Sequence, residues 1–211
     1  MKIWLITDTH LNHENIIKVH GRSENFESIL LGSLKSSLQK GDALIHVGDI
    51  CFKDAEDAHE RLMASIPEGC KKILVLGNHD NRSDSWYYAH GWDFVCRSFT
   101  IQHKGFHIIF SHKPLRHDMG CDMNIHGHFH DNDHREFESA EFYNTAYHKR
   151  LAIEFTGFKP ISLDAFLEQI VCKSCQQFSR PLMEGRCEEC YHRAQMRKER
   201  LEVMRRLSVD K

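Results

Sequence analysis

The sequence lacks the features that would place the protein in a membrane, in a secretory pathway or among generally basic nucleic-acid binders. No apolar run approaches the roughly 20 residues that a helix needs to cross a bilayer. Met1 and Lys2 lead directly into an apolar strand rather than into a signal peptide. The 211 residues include 28 Lys and Arg against 30 Asp and Glu, so no overall basic field favours nucleic acid. We therefore expect a cytoplasmic protein that does not bind membranes.

The near balance of charge conceals a basic C-terminal tail. Residues 191–211 contain seven Lys or Arg against three Asp or Glu, which leaves the rest of the chain at −6. The length is sufficient for one well-buried domain and a small appendage. We expect a main domain over residues 1–168, followed by a separate module at 169–191 and a basic helix at 192–211.

Eight cysteines are present, and no disulfide framework is expected. Cys51, Cys70, Cys96 and Cys121 are scattered along a chain that shows no secretion signal, which is typical of reduced thiols. The other four form two C-x-x-C pairs separated by 11 residues, fewer than the usual ~15–20 of a zinc ribbon. Four thiolates at this spacing predict a compact structural Zn²⁺ site, and a redox or free-thiol cluster is the alternative. The predicted ligands are Cys172, Cys175, Cys187 and Cys190.

The C-terminal helix is open to several interpretations. Apolar residues recur on one stripe of residues 191–207 and arginines lie elsewhere. Together with the zinc module, such a helix could contact nucleic acid or a protein partner. A solvated helix that packs on the module, or a dimer contact, is equally consistent with the pattern.

Apolar runs and helical periodicity alternate along the main domain. Strands are predicted at residues 2–6, 43–47, 73–76, 94–102, 106–110, 123–125 and 151–155. Helices are predicted at residues 28–39, 54–65, 83–91 and 162–171, with Asp54 as the N-cap of the second. The initial β-α-β-α-β order predicts a layered α/β fold.

Polar residues follow the ends of five predicted strands, where open α/β folds place their ligands. On extended backbone, alternate side chains point the same way, so D-x-H and H-x-H could each direct two ligands at one ion. A D-x-H pattern alone is also frequent in ordinary loops. The set is Asp8, His10, Asp49, Asn78, His79, His112, His128 and His130.

This set contains oxygen and nitrogen donors and no thiolate, which suits Mn²⁺ first, with Fe, Zn²⁺ or Ni²⁺ as alternatives. The donors are too many for one ion. Two ions that share one carboxylate would account for nearly all of them, and paired ions about 3.5–4 Å apart suit in-line displacement at phosphorus.

The motifs D-x-H, G-D, G-N-H-D, S-H and G-H-x-H, in this order and each after a strand, resemble those of the calcineurin-like metallophosphoesterases. The segment from Asp8 to Ile17, with Arg22 beyond it, is similar to the small bacterial and phage branch. The resemblance covers residues 1–168 and implies an αββα sandwich of two mixed β-sheets flanked by helices. It also implies two metal sites, the first held by Asp8, His10 and His130, the second by Asn78, His112 and His128, with Asp49 as the bridge.

The resemblance implies hydrolysis by a hydroxide that two divalent ions generate from a shared water. His79, held by Asp80, would then protonate the leaving oxygen or stabilise the pentacovalent state. The arginine of the protein serine/threonine phosphatase motif is absent after Gly48-Asp49, whereas Arg82 stands at the offset of a second motif arginine. Arg82, Arg22 and Asn12 are candidate phosphate contacts, with a solvated surface residue as the alternative for each.

The expected function is hydrolysis of phosphodiester bonds in a nucleotide or nucleic acid. A phosphomonoesterase or protein phosphatase is the alternative within catalysis. A third reading belongs to another class: a nucleic-acid or protein binding module in which the metal site is vestigial. Every ligand position is filled, which argues against a decayed site.

Overall fold

The computed structural model describes residues 1–116, 120–132, 141–143, 146–170, 192, 195 and 196. The chain divides into two compact units, residues 1–163 and 164–211. The four cysteines of the predicted zinc module and almost all of the predicted basic helix lie outside the described residues, so both stay predictions. Among the helices described, none has the length and apolar character to cross a membrane.

The first sheet has five strands in the described residues and carries the β-α-β-α-β order expected from the sequence. Its strand order is β4-β3-β2-β1-β9; the first four are parallel and β9 is antiparallel to β1. All four residues of β2 are buried, as expected for a central parallel strand. The strands are β1 (Ile3–Ile6), β2 (Ala43–His46), β3 (Lys71–Val75), β4 (Phe94–Cys96) and β9 (Ile161–Ser162).

The second sheet has the strand order β5-β6-β7-β8 in the described residues. A hairpin at Lys104 and Gly105, both with positive φ, makes β5 antiparallel to β6, while β6, β7 and β8 run parallel. Two mixed sheets flanked by helices confirm the predicted fold class. The strands are β5 (Ser98–His103), β6 (Phe106–Ser111), β7 (Met123–His126) and β8 (His148–Arg150).

Helices cover the first sheet through a continuous apolar core. Leu30 and Leu34 of α2, Leu62 of α3 and Tyr87 of α4 share one buried cluster with Leu44 of β2. The hydrophobic effect of this burial holds the sheet and the helices together. The helices are α1 (Glu14–Val19), α2 (Phe26–Ser37), α3 (Ala55–Ala64), α4 (Asp84–Ala89) and α5 (Leu163–Ile170), with a 3₁₀ helix at Ile153–Thr156.

Two strand predictions were wrong, and one helix cap was predicted correctly in position only. The strand predicted at residues 94–102 is two strands, because the chain leaves the first sheet after Cys96 and enters the second at Ser98. The strand predicted at 151–155 is mostly the 3₁₀ helix, preceded by β8. Asp54 precedes α3, yet its side chain makes no cap hydrogen bond and its backbone is left-handed at φ 46°.

The central position of Leu44 generates a stability prediction. Leu44→Ala removes a fully buried side chain from β2, so we expect a loss of about 2–5 kcal/mol in the free energy of unfolding. Gln102→Ala, at an exposed position on β5, should change it by less than about 0.5 kcal/mol. Urea unfolding followed by circular dichroism measures both. Equal losses in the two variants would contradict the placement of the core.

Candidate metal centre

The loops that follow β1, β2, β3, β6 and β7 meet at one edge of the two sheets. Parallel register places Ile6 beside His46 and His46 beside Leu74, so the first three strands end together. Ser111 and His126 end β6 and β7 side by side in the same way. The polar residues that follow these strands are therefore brought together, as the sequence predicted.

The first ligand group consists of Asp8, His10 and His130. Oδ1 of Asp8 lies 3.8 Å from Nε2 of His10 and 3.6 Å from Nε2 of His130. One donor atom from each residue lies within 4.8 Å of the other two. These three side chains can therefore surround a single ion.

The second ligand group consists of Asp49, His112 and His128, with Asn78 beside it. Nε2 of His112 lies 3.2 Å from Oδ2 of Asp49 and 3.2 Å from Oδ1 of Asn78. Nδ1 of His112 donates to the carbonyl oxygen of Val47, which leaves Nε2 free to act as a donor to a metal. One donor atom from Asp49, His112 and His128 lies within 4.8 Å of the other two.

Asp49 lies between the two groups. Its Oδ2 is 3.2 Å from Nε2 of His112 and 3.7 Å from Nε2 of His10. Its Oδ1 instead accepts a hydrogen bond of 2.8 Å from the backbone N–H of His79. One oxygen is thus fixed by the backbone and the other faces histidines of both groups.

Asp8 is oriented in the same manner. Its Oδ2 accepts hydrogen bonds from the Thr7 hydroxyl at 2.7 Å and from the backbone N–H of His128 at 3.0 Å. The same N–H also lies 3.3 Å from Oδ1, the oxygen that faces His10 and His130. Each carboxylate therefore joins two loops through one oxygen and presents the other to the centre.

The electrostatics of the centre fit divalent cations. Burial raises the pKa of Asp8 and lowers the pKa of His10 to about 2, so His10 is a neutral imidazole with a lone pair. Both ring nitrogens of His10 are buried without a hydrogen-bond partner. Burial also opposes ionisation of Asp49, but His112 and the His79 N–H lower its pKa below the ordinary value. Unpartnered nitrogen beside buried carboxylate is the environment that a metal ion stabilises.

The backbone of this centre is left-handed at five of the seven predicted ligands, which corrects the geometry expected from the sequence. D-x-H and H-x-H do not lie on extended strands, since β1 ends at Ile6 and β7 at His126. Positive φ in a residue other than glycine is strained by about 1–3 kcal/mol and tends to occur at functional sites. The values are 49° for Asp8, 44° for His10, 56° for Asp49, 69° for His128 and 50° for His130.

Two glycines let these loops approach one another. A Cβ on Gly77 would overlap Oδ1 and the backbone nitrogen of Asp49. A Cβ on Gly127 would overlap the Thr7 hydroxyl and would lie 2.5 Å from Oδ2 of Asp8. The glycines of G-N-H-D and G-H-x-H are therefore required by contact with the two metal-facing carboxylates.

Asp80 does not hold the His79 imidazole, contrary to the expectation from sequence. Its Oδ2 accepts from the backbone N–H groups of Asp49 and Gly77, each at 2.8 Å, and its Oδ1 from that of Ile50 at 3.1 Å. Asp80 therefore fixes the loop after β3 against the loop after β2. His79 is 38% exposed, and its Nε2 lies 3.9 Å from Oδ2 of Asp49.

Two of the three candidate phosphate contacts have other roles. The Arg22 side chain is buried and its guanidinium binds Glu154, which prevents it from facing a substrate. Asn12 binds Asp57 and Arg61 on the protein surface. Arg82 is exposed and lies over the ring of Trp86, so its contact with phosphate stays a prediction.

A cleft of about 200 Å³ opens on the centre. Residues 13–20, at α1, form one wall and His79 lies at its edge. A larger groove of about 1020 Å³ lies between α1, α2 and α3 and contains none of the predicted metal ligands. The cleft over the ligands is therefore the candidate substrate site. Its lining in the described residues is His10, His13, Ile16, Val19, His20, Asp49, Asn78, His79, His128 and His130.

Glu154 is a residue of the centre that sequence reasoning missed. Its Oε1 lies 3.2 Å from Nδ1 of His130 and 2.7 Å from Nη2 of Arg22. It belongs to the 3₁₀ helix and to none of the five motifs, so the sequence offered no signal that could have identified it.

The family model of the calcineurin-like phosphoesterases matches residues 1–162. The chain belongs to this family. An uncharacterized protein of Methanocaldococcus jannaschii, MJ1445, is 26% identical over 179 residues, which cover 80% of this chain and 91% of that protein. The crystal structure of a protein of unknown function from Aquifex aeolicus, AQ665, is 28% identical with a TM-score of 0.61 and covers 76% of this chain and 95% of its own. The family and the ligand groups together identify a candidate metal-dependent phosphoesterase centre.

The close contact at Gly127 generates a prediction for this phosphoesterase. Gly127→Ala forces a methyl group against Thr7 and Asp8, so we expect the Asp8 carboxylate to move and Mn²⁺ affinity to fall at least about tenfold. Isothermal titration calorimetry measures the affinity. Gly32→Ala is the matched control, because Gly32 lies within α2 with no atom within 4 Å of the added methyl. It should retain Mn²⁺ binding and gain about 0.5–1 kcal/mol in stability. Wild-type Mn²⁺ affinity in Gly127→Ala would contradict the prediction.

Proposed function

We propose that this protein is a dinuclear metal-dependent phosphodiesterase that acts on a nucleotide or nucleic acid. Asp8, His10 and His130 would hold the first ion, Asn78, His112 and His128 would hold the second, and Asp49 would be the ligand shared by both. The observation that carries the proposal is the position of Asp49 Oδ2, within 3.7 Å of a histidine of each group while Oδ1 is held by the backbone. Mn²⁺ suits this donor set, with Fe, Zn²⁺ or Ni²⁺ as alternatives.

Two bound divalent ions would lower the pKa of a water that they share and withdraw charge from the phosphoryl oxygens. The chain contributes orientation and electrostatics to this chemistry. Asp8 and Asp49 each accept a hydrogen bond from a backbone N–H group, which orients the other carboxylate oxygen toward the histidines of the centre. The wall at α1 screens one side of the cleft from solvent.

His79 is the proposed proton donor to the leaving oxygen. It lies at the edge of the cleft with a partly exposed imidazole, whereas the imidazoles of the proposed ligands His10, His112 and His130 are buried. Its ring packs beside those of His10 and Phe52, with centroids 5.3 Å and 5.6 Å away. Its backbone N–H is fixed to Asp49. An imidazole so placed can reach a leaving group. One donor atom of His79 also lies within 4.8 Å of donor atoms of His10 and Asp49, so a metal ligand is the alternative role.

The charge of the cleft favours a diester over a monoester. Among the described residues, its lining includes no lysine or arginine, and Arg22 is buried and paired. A phosphate monoester carries about one more negative charge than a diester near neutral pH and gains more from an arginine clamp. A phosphomonoesterase or protein phosphatase, the alternative, would require a cation such as Arg82 to turn toward the cleft.

The proposed domain organisation adds a tail to this catalytic part. We propose residues 1–168 as the phosphoesterase domain, 169–191 as a module with one structural Zn²⁺ and 192–211 as a basic helix. The basic charge of residues 191–211 suits contact with nucleic acid, and a protein partner is the alternative. A pure binding module with a vestigial metal site is the competing function from another class.

Catalysis is tested with Mn²⁺ and bis-p-nitrophenyl phosphate, a diester that releases a coloured product. Asp49→Ala removes the ligand shared by both ions, so we expect activity to fall below detection. His79→Ala should lower kcat about 10²–10⁴-fold on a dinucleotide, whose alkoxide leaving group needs a proton, because it removes a general acid and leaves the proposed metal ligands in place. The loss on bis-p-nitrophenyl phosphate should be smaller, because p-nitrophenolate leaves without protonation. His107→Ala, on β6 far from the ligand loops, is the control and should retain activity.

Comparison with p-nitrophenyl phosphate separates the two catalytic readings. We expect the diester to be hydrolysed faster, and a much faster monoester reaction would favour the alternative. Full activity in both Asp49→Ala and His79→Ala would reject this site.

Truncation after Ile170 distinguishes catalysis from binding. The shortened protein retains all the proposed metal ligands of the first unit, so we expect unchanged turnover of bis-p-nitrophenyl phosphate and weaker retention of single-stranded DNA in a mobility-shift assay. Loss of the basic tail removes charge that binds phosphate, and retention by the full chain should fall with salt. Unchanged DNA retention by the truncated protein would contradict a role of the tail in binding.

A further inference from the structure

A buried ion pair lies directly behind the first ligand group. Arg22 and Glu154 are 132 residues apart, and their side chains are 0% and 8% exposed. Nη2 and Nε of Arg22 both donate to Oε1 of Glu154, at 2.7 Å and 3.0 Å. A buried pair loses so much hydration that its net contribution to stability is small, so stability alone does not account for this pair.

The pair contacts the first ligand group from two sides. Oε1 of Glu154 lies 3.2 Å from Nδ1 of His130. The Arg22 guanidinium donates to the backbone carbonyl oxygens of Asp8 at 2.8 Å and Thr9 at 3.1 Å, within the loop whose residues Asp8 and His10 have positive φ. One ion pair therefore connects the side chain of one ligand to the backbone that carries the other two.

The hydrogen bond to His130 defines the tautomer of that histidine. Nε2 of His130 faces Oδ1 of Asp8 at 3.6 Å, which makes it the nitrogen available to a metal. With Nε2 bound to a metal, the neutral ring carries its proton on Nδ1, which then donates to Oε1 of Glu154, and Arg22 Nη2, 3.3 Å from Nδ1, donates to Glu154 instead. A carboxylate behind a histidine in this way orients the ring and raises its basicity as a ligand.

We propose that the Arg22–Glu154 pair is a positioning device for the first metal ion alone. This inference rests on the proposed dinuclear function. Among the described residues, neither side chain hydrogen-bonds to Asp49, Asn78 or His112. Loss of the pair should therefore lower the affinity for the first ion and leave the second ligand group unchanged.

A third ion behind His130 is the competing interpretation. His20, His130 and Glu154 offer donor atoms within 4.8 Å of one another. Arg22 binds Oε1 of Glu154 and leaves Oε2 without a hydrogen-bond partner, but an ion at Oε2 would lie beside the positive guanidinium on the same carboxylate, so like charges would be placed together. The arrangement is that of a carboxylate neutralised by arginine rather than of an ion site.

The test measures binding of Co²⁺ to the full-length chain by calorimetry and by visible absorption, without substrate. One equivalent of Zn²⁺ is added first for the predicted thiolate ligands, because Zn²⁺ in excess would also occupy the histidine sites. We expect wild-type protein to bind two Co²⁺ ions at the histidine sites. Glu154→Gln should lower the affinity for one Co²⁺ ion about 10–100-fold and leave the affinity for the other unchanged. Asp93→Asn is the control, because Asp93 pairs with Lys72 at the opposite end of β3 from the metal ligands.

Glu154→Gln leaves Arg22 buried without a charged partner, which can destabilise the fold. Glu154→Asp is therefore measured in parallel, since it keeps the charge beside Arg22 while withdrawing the carboxylate from His130 by one methylene. We expect the same selective weakening of one ion, with an unchanged far-ultraviolet circular dichroism spectrum.

If the folded variants bind both ions with wild-type affinity, the positioning role is overturned and the proposed function is unaffected. Unfolding of both variants would assign the pair to fold stability and also overturn it. A third Co²⁺ ion in wild-type protein that is lost in Glu154→Gln would replace it with an ion site. Fewer than two ions in wild-type protein would overturn the proposed function, and this inference with it.

Discussion

The structure of the centre depends on two buried carboxylates, Asp8 and Asp49, which lie at the meeting point of the two sheets. Both are almost inaccessible to water, with 0% and 2% exposure. A carboxylate removed from water costs several kcal/mol unless charge or hydrogen bonds compensate it. The backbone N–H groups of His128 and His79 satisfy one oxygen of each. The metal-facing oxygens have histidines as neighbours, and His112 lowers the pKa of Asp49. The proposed cations would supply the remaining compensation.

The same hydrogen bonds explain how strained loops persist. The loops after β2 and β3 are tied together three times, because Asp80 accepts from the N–H groups of Asp49 and Ile50 and Asp49 accepts from that of His79. The loop after β7 packs against the side chains of Thr7 and Asp8 at Gly127. Left-handed φ at a ligand raises the free energy of the native state, and these connections between loops hold the ligand there. Hydrogen bonds between backbone N–H groups and buried carboxylates therefore hold the ligand loops in place.

The sequence predicted which residues meet because that depends on one topological rule. Parallel strands end at the same edge, so the residues that follow them converge whatever their local conformation. The shared direction of the D-x-H and H-x-H side chains was attributed to extended backbone. The backbone at these ligands is instead left-handed, so that reason was wrong. The break at Arg97 was missed because residues 94–102 have a strand-like pattern throughout, and only tertiary pairing divides them. Glu154 and Arg22 form a pair across 132 residues, and no local pattern indicates such a partnership.

Preorganisation has a consequence for the link between metal binding and stability. In a zinc finger the ligands are assembled by the ion, so most of the binding free energy is consumed in folding. Here the apolar core of the first sheet and the hydrogen bonds between loops hold Asp8 and Asp49 in place. The proposed ions would therefore offset buried carboxylate charge and bind the unpartnered nitrogens of His10, and little of their binding free energy would be consumed in folding. Their binding would still stabilise the native state by mass action, at about 2.7 kcal/mol for an ion at 100 times its Kd. Core packing and the hydrogen bonds between loops therefore compensate the strain and the buried charge of the ligand loops.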